Sequence, residues 1–310
     1  MTPPDPGQEA AQGRWRCAVG SLQRDEPIAG SATHVRTWML IEHVGPWGST
    51  ALLDARLPDG VGAELRRRAQ VHRAKILLIR RFSSRPSSDE GVRVFAAYAD
   101  PVAPRIESGV VADARDVLDL DLGALRAGGT TGLPAYDGDI YCVCTNGRHD
   151  ACCAEFGRPV AKALAASYPE ETWEVSHVGG DRYAGNMVVL PHGLYYGRLD
   201  PTSALAAVDA HRRGELDLDR LRGRSSYAMP VQAAEIAVRR EAGLSGLADV
   251  RLTGVSVEGG LTRATFEAGA NGYAVRVRTT RPDDAAARLT CKAAHAEPPT
   301  RHEVIDVSRR

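Results

Sequence analysis

Cysteines concentrated in one short stretch constrain this chain more than any other feature. Four of the six cysteines lie between Cys142 and Cys153, and His149 and His177 lie within or soon after this stretch. Thiolates and imidazoles at close quarters are the ligands that zinc ions and iron-sulfur clusters require. The sequence therefore predicts a fold that gathers these side chains around a metal centre.

The N-terminus and the hydropathy pattern predict a cytoplasmic protein. Residues 1–9 lack the basic segment and apolar run of a secretory signal, and we expect them to form a disordered tail. No apolar run approaches the ~18 residues of a membrane span, so no membrane association is expected. Because cytoplasmic thiols stay reduced, metal or cluster ligation explains the clustered cysteines better than disulfides do.

Composition narrows the class of partner. The chain is 43% hydrophobic and 25% charged, with 39 basic residues against 39 acidic ones. These values are ordinary for a globular protein. Since nucleic-acid binders are usually basic over a whole face, a net charge of zero argues against a nucleic-acid partner.

The order of predicted elements places the chain in the α/β class. Residues 34–130 are predicted to form a strand, a helix and three strands. Residues 131–225 are predicted to form a strand, a helix, a strand, a hairpin and a helix, the order of a thioredoxin-like α/β layer. The N-terminal unit resembles this order, which makes a divergent internal duplication a hypothesis without a residue-level repeat.

The remaining segments carry no chemical signature. Residues 1–33 are predicted to form an irregular N-terminal arm, in which Cys17 is isolated. A glycine-rich linker over 128–134 predicts a domain boundary near residue 130. Residues 226–310 are predicted to form a small C-terminal α+β module of one helix and antiparallel strands, with extra edges at Cys291 and 303–307.

The cysteine stretch combines a strand with the start of a helix. Side chains on a strand alternate faces, so Cys142 and Cys144 point the same way. Asp150 is predicted to cap a helix in which Cys152 and Cys153 diverge by about 100°, and only one of them should face a given metal. Cys144 and Cys153 could therefore meet where the strand ends and the helix begins, and a helix N-terminus favours thiolate there.

A second loop supplies different donors. His177 follows a strand predicted over 172–176, and Gly179 and Gly180 let the backbone bend so that Asp181 returns toward the same point. A histidine on such a loop is by default a hydrogen-bonded structural residue. Here the nearby cysteine cluster favours a role for His177 as a metal ligand. The expected site has two sulfurs from one loop, and one imidazole and one carboxylate from another.

Several of these segments together resemble a known family. Residues 144–153, 156–159, 173–181 and 189–198 resemble the sucrase/ferredoxin-like family, whose metal-binding part is a thioredoxin-like ferredoxin domain. Residues 38–42 and 45–48 look like its N-terminal pattern. The resemblance implies a 2Fe-2S cluster with Cys144 and Cys153 as sulfur ligands and His177 as a nitrogen ligand.

The fourth ligand departs from one branch of the family. Members of a eukaryotic type carry a second histidine where this chain has Asp181, so ligation by two histidines does not carry over directly. The fourth ligand is Asp181 or another residue, or else the site is degenerate. The alternative ligands are Cys142, Cys152, His149 and His192.

If the cluster is present, the expected role is one-electron transfer to or from an unidentified redox partner protein. We expect an electron carrier rather than an enzyme, and no pair of carboxylates supports sucrase activity.

The alternative is a structural zinc site without a redox role, although the paired Cys-x-x-Cys spacing of many zinc sites is absent. A thioredoxin-like thiol enzyme is less favoured still, because its Cys-x-x-Cys spacing is absent here. Arg148 and Arg182 flank the site, where they could screen the charge of the cluster, dock an acidic partner or be ordinary solvated side chains.

Overall fold

A computed structural model describes residues 15–82 and 91–310. The tail predicted for residues 1–9 lies outside the described residues. The mixed α/β class is confirmed by one large and one small sheet with flanking helices. The described helices are α1 (Cys17–Gln23), α2 (Ala51–Asp54), α3 (Val61–Val71), α4 (Leu122–Arg126), α5 (Ala151–Ser167), α6 (Pro201–Arg212) and α7 (Met229–Ala242).

The strands follow the predicted order closely. They are β1 (Thr37–Glu42), β2 (Ala74–Arg80), β3 (Val92–Tyr98), β4 (Arg105–Val111), β5 (Ile140–Cys144), β6 (Thr172–Val175), β7 (Met187–Leu190), β8 (Leu194–Tyr196), β9 (Leu221–Arg224), β10 (Val250–Glu258), β11 (Leu261–Ala268), β12 (Asn271–Thr280) and β13 (Arg301–Arg309). No helix in the described ranges is both long and apolar enough to span a membrane.

The large sheet repeats one pairing pattern twice. Its nine strands lie in the order β4-β3-β1-β2-β6-β5-β7-β8-β9. In the first half β1 is parallel to β2 and antiparallel to β3, which is antiparallel to β4. In the second half β5 is parallel to β6 and antiparallel to β7, which is antiparallel to β8. This repeat supports the duplication hypothesis, while the thioredoxin-like assignment stays a prediction.

The two halves join through antiparallel pairing of β2 with β6. Glu42, Ile79, Val175 and Cys144 lie side by side across four neighbouring strands. The carboxyl ends of β1, β2, β5 and β6 therefore meet in the middle of the sheet, and such ends are where α/β sheets usually bind ligands. The boundary predicted near residue 130 falls between two halves of one continuous sheet, and the division into separate domains stays a prediction.

A core shared by both halves lies on the inner face of this sheet. The rings of Trp38 and Tyr195 have centroids 6.0 Å apart, and those of Phe95 and Trp173 are 5.4 Å apart. Because β1 and β8 are far apart in the strand order, the sheet must curl to bring these rings together. Cys142 and Cys144 face the same core, as the strand alternation predicts.

The N-terminal arm and strand β9 differ from the prediction. The N-terminal arm is not irregular throughout, because α1 forms within it and buries Cys17 against Cys152 and Ala184. Strand β9 was not predicted, since its sequence contains Arg222 and Arg224 rather than an apolar run. Both arginines are buried, and tertiary hydrogen bonds and ion pairs replace the missing apolar pattern.

The C-terminal module consists of α7 packed on the antiparallel sheet β10-β11-β12-β13. Helix α7 is followed by Gly243 in the left-handed conformation (φ +67°), which confirms the predicted stop. Strand β13 includes the edge predicted over 303–307. The edge predicted at Cys291 is wrong, because Cys291 lies in a turn and contacts the N-terminus of α5 instead.

Candidate metal centre

The end of β5 and the first turn of α5 form one side of the candidate site. Cys144 ends β5 and Cys153 lies in the first turn of α5, and both are buried. Asp150 caps this helix, as predicted, and accepts a hydrogen bond from the backbone N–H of Cys152 at 2.9 Å. A Cβ atom at Gly157 would lie 2.0 Å from the carbonyl oxygen of Cys144, so only glycine lets the helix pack this closely on the strand.

The loop after β6 forms the other side. Gly179 and Gly180 adopt positive φ values of +104° and +80°, which other residues rarely adopt. The buried Arg222 donates to the carbonyl of Gly179 at 2.9 Å, and a Cβ atom at Gly180 would lie 2.3 Å from its guanidinium. The bend turns Asp181 back toward His177, and Asp181 starts a short 3-10 helix.

These two loops bring four side chains together, which we call the donor set: Cys144, Cys153, His177 and Asp181. Oδ1 of Asp181 lies 3.2 Å from the sulfur of Cys153 and 3.1 Å from Nδ1 of His177. The sulfurs of Cys144 and Cys153 and a ring nitrogen of His177 all lie within 4.8 Å of one another. Such a set of soft and borderline donors can hold a metal.

His149 adds a second imidazole beside the donor set. Its ring stacks on that of His177, with centroids 3.7 Å apart. Its Nε2 lies 3.8 Å from Oδ2 of Asp181, and its Nδ1 lies 3.0 Å from the carbonyl oxygen of Ser49. A ligand atom from each of His149, His177 and Asp181 falls within 4.8 Å of the others.

The other alternative ligands lie elsewhere. Cys142 lies two residues before Cys144 on β5 and packs in the shared core. It belongs to none of the metal-compatible groups among the described residues. His192 lies near Asp139, 3.6 Å from its Oδ1, in a separate group with His211. Cys152 points away from Cys153 and toward the N-terminal helix, as the divergence along the helix predicts.

Hydrogen bonding shifts the pKa values of the two thiols in the donor set in opposite directions. A hydrogen bond from Cys153 lowers the pKa of Cys144 well below its usual range, and His177 lowers it further against the effect of burial. The hydrogen bond to Cys144 and burial raise the pKa of Cys153. The pair therefore holds one thiolate readily, and thiolate is the metal-binding form.

His177 has a buried nitrogen suited to ligation. Desolvation lowers its pKa, but the Asp181 carboxylate and the Cys144 sulfur raise it more, to about 9. Nδ1 lies 3.1 Å from Oδ1 of Asp181 and makes no hydrogen bond with any described residue. A metal ion on His177 would replace its proton, because only the neutral imidazole is a ligand.

Two basic side chains stand behind the second loop. Nζ of the partly buried Lys75 donates to the carbonyl of Val178 at 2.6 Å, and Arg222 binds the neighbouring carbonyl of Gly179. Desolvation lowers the pKa of Lys75 to about 8. Both cations offset negative charge on the donor set. Sequence reasoning missed them, because each lies in or beside a strand with no local signal of its role.

The flanking arginines differ from each other. Arg148 is exposed beside His149, which leaves it available to a partner. Arg182 is not a solvated side chain, since its Nε lies 2.6 Å from a carboxylate oxygen of the buried Glu26. Arg182 therefore anchors the loop after Asp181 to the segment that follows α1.

Comparison with known proteins identifies one family. The family described as sucrase/ferredoxin-like matches residues 28–223, which is more than half of the chain. The match spans nearly all of the large sheet and the whole donor set. No curated protein and no solved structure matches the chain.

Proposed function

This chain belongs to the sucrase/ferredoxin-like family, and on that premise we propose that it is an electron-transfer protein whose donor set holds a 2Fe-2S cluster. One observation carries the proposal: two buried sulfurs and a ring nitrogen of His177 lie within 4.8 Å of one another. When bound, such a cluster accepts and releases one electron.

The donor set divides into two kinds of ligand, as mixed ligation requires. Cys144 and Cys153 would bind one iron through sulfur, and His177 would bind the other through nitrogen. The two sulfurs come from β5 and α5, whereas His177 comes from the loop after β6. This division supports a cluster whose two irons have different ligands. It does not support ligation by four cysteines, because the described site has too few of them.

Asp181 is our proposed fourth ligand. It is 4% exposed, and its Oδ1 already lies between Cys153 and His177. His149 is the alternative, since its Nδ1 faces a backbone carbonyl and its Nε2 faces the site, an arrangement common in ligating histidines. Lys75 and Arg222 would offset the additional negative charge of a carboxylate ligand.

The imidazoles form the route by which electrons would reach a partner. The side chains of His149 and His177 are 34% and 26% exposed, whereas Cys144 and Cys153 are 1% exposed. A partner protein would therefore approach the histidine side of the centre. Arg148, exposed at this edge, favours a partner with an acidic surface.

A structural zinc site remains the second candidate. Cys144, Cys153 and His177 lie close enough together for one ion, and sulfur and imidazole are zinc ligands. Such a centre would stabilise the junction of the two halves without any redox role.

Metal analysis of the full chain purified without oxygen tests the proposal. We expect two irons and two inorganic sulfides per chain, a visible charge-transfer absorption, and a paramagnetic signal after reduction. Cys144→Ala should abolish all three, whereas Cys142→Ala, its matched neighbour on β5, should keep them. Zinc bound at Cys144 without iron or sulfide would refute electron transfer and favour the structural site.

Pulsed paramagnetic spectroscopy of the reduced protein identifies the fourth ligand. With Asp181 bound we expect coupling to the ring nitrogen of one histidine, and His149→Ala should leave the spectrum unchanged. Coupling to two histidines, with one lost in His149→Ala, would overturn the assignment to Asp181. An unchanged spectrum in Asp181→Ala would overturn it as well.

A further inference from the structure

Three sulfurs from distant parts of the chain meet beside the first turn of α5. We call Cys17, Cys152 and Cys291 the thiol cluster. The sulfur of Cys17 lies 3.6 Å from that of Cys152 and 3.6 Å from that of Cys291, and those of Cys152 and Cys291 are 3.4 Å apart. The three residues come from α1, from α5 and from the turn after β12, so only the tertiary structure unites them.

The spacing of these sulfurs fits ligation of one metal ion. Sulfurs bonded to each other lie about 2.05 Å apart, so the cluster holds no disulfide. Tetrahedral zinc with Zn–S bonds of about 2.3 Å places its sulfurs about 3.8 Å apart. The three separations in the cluster differ from this value by a few tenths of an ångström, a shift that rotation about the Cα–Cβ bonds can absorb.

Asp150 supplies a fourth donor beside the sulfurs. It is fully buried, and its carboxylate oxygens lie 3.7 and 3.8 Å from the sulfur of Cys17. The same oxygens accept hydrogen bonds from the backbone N–H groups of Cys152 (2.9 Å) and Cys291 (2.7 Å). These bonds fix the carboxylate, which keeps further lone pairs for a metal. One ligand atom from each of the four residues lies within 4.8 Å of the others.

We propose that the thiol cluster, with Asp150 as fourth ligand, is a second metal site that binds zinc. Three thiolates and one carboxylate complete a tetrahedral shell without an open position, as in structural zinc sites. Cys17 and Cys152 are fully buried, while the partly exposed Cys291 gives the ion a way in. Zinc here ties α1 and the segment before β13 to the helix that also carries Cys153.

This site is separate from the donor set. Cys152 and Cys153 are neighbours but point to different sides of α5, and Asp181 contacts Cys153 alone of the two. Cys17 and Cys291 also lie outside residues 28–223, the part that matches the family. The proposal therefore stands whether or not the donor set holds an iron-sulfur cluster.

Zinc content of the full chain, measured with iron and sulfide on the same samples, tests the second site. The wild type, supplied with Zn²⁺ and then dialysed, should keep one zinc per chain, and Cys17→Ala and Cys291→Ala should each lose it. Cys142→Ala removes a buried thiol outside both groups and should keep it. Cys144→Ala should also keep this zinc, which separates the two sites.

Three results of the zinc measurement would overturn the proposal. The first is a wild type that keeps no zinc after dialysis. The second is a Cys291→Ala variant that keeps as much zinc as the wild type. The third is a loss of zinc that occurs only in Cys144→Ala. Because Cys17 is deeply buried, Co²⁺ added to the wild type and to Cys291→Ala gives a second readout. A thiolate-to-cobalt absorption band is expected in the wild type, and its persistence at full intensity in Cys291→Ala would exclude this site. Iron absent with zinc retained would refute only the electron-transfer function.

Discussion

Asp181 contacts three side chains of the centre at once. Its Oδ1 lies 3.2 Å from Cys153 and 3.1 Å from His177, and its Oδ2 lies 3.8 Å from His149. The His177 imidazole keeps the pKa of Asp181 below its usual range although burial raises it. Asp181 is therefore a carboxylate at neutral pH. As a ligand it would add negative charge that a second imidazole would not, which lowers the reduction potential.

Replacing this carboxylate tests the charge argument. We expect Asp181→His to raise the midpoint potential by on the order of 100 mV, since a neutral imidazole takes the place of an anion. Redox titration followed by visible absorption measures the shift. Asp219→His, at a side chain that is 92% exposed, is the matched control and should leave the potential unchanged. A potential in Asp181→His equal to that of the wild type would contradict ligation by Asp181.

His192 gives a second prediction at the scale of one residue. Burial lowers its pKa to about 4, although Asp139 raises it, and His211 and Arg224 lower it further. Between pH about 6.5 and about 4 the unfolded chain binds a proton that the folded chain does not. The contribution of His192 to stability is therefore complete above pH 6.5 and decreases as the pH falls through this range.

Chemical denaturation at several pH values measures this effect. The free energy of unfolding of the wild type should fall by up to about 3 kcal/mol between pH 6.5 and 4 through His192. His192→Gln should lack this part of the decrease. His295→Gln, at an exposed histidine, should behave like the wild type. Parallel pH profiles for His192→Gln and the wild type would show that this histidine does not titrate as argued.

At the scale of elements, the contact between α5 and β5 places the two sulfurs. Helix α5 follows the loop at 145–150, and Gly157 lets its second turn pack against the end of β5. Asn146 fixes the loop by donating to the carbonyl of Gly48 at 3.1 Å. The distance between Cys144 and Cys153 therefore depends on one close approach of helix to strand.

Gly157→Ala should disrupt this contact. Its Cβ would lie 2.0 Å from a backbone oxygen that cannot move without shifting β5. We expect the free energy of unfolding to fall by about 1–3 kcal/mol and the metal content of the donor set to drop. The control is Gly123→Ala in α4, where the nearest atom is a flexible side-chain oxygen at 3.2 Å. Full metal content and stability in Gly157→Ala would mean that the helix position does not control the site.

At the scale of the whole molecule, the site lies where two similar halves meet. Glu42 ends β1 in the first half at the position that Cys144 occupies in the second. Only the second half supplies the donor set, yet Lys75 from β2 reaches the carbonyl of Val178 beside it. The first half therefore places a positive charge beside the donor set, whose four residues all belong to the second half.

The shared core makes the stability of the two halves interdependent. Trp38 is fully buried and packs its ring against Tyr195 of the second half. We expect Trp38→Ala to cost about 3–5 kcal/mol in unfolding free energy. Hydrogen exchange should then accelerate in β5 as well as in β1.

Mass-resolved hydrogen exchange on peptides covering 37–42 and 140–144 measures this coupling. Val71→Ala, at a side chain of the first half that is 52% exposed, is the control and should leave both regions protected. Faster exchange confined to 37–42 in Trp38→Ala would show that the halves unfold separately.

Local physics allowed much of the fold and part of the site to be predicted from the sequence. Strand alternation placed Cys142 and Cys144 on one face, and the 100° step of a helix separated Cys152 from Cys153. Asp150 was predicted as a helix cap because its side chain and the adjacent apolar periodicity are both local signals. These features depend only on residues that are near each other in the chain.

The tertiary structure alone decided which distant residues meet at the donor set and at the thiol cluster. Cys17 and Cys291, isolated in the sequence, meet Cys152 across separations of 135 and 139 residues. Arg222 lies in a strand without an apolar pattern because partners 36 and 43 residues away satisfy its buried charge. Periodicity reports which face of an element is buried, but not what it is buried against. The curl of the sheet and the packing of α1 and of the turn at Cys291 against the start of α5 supply those partners.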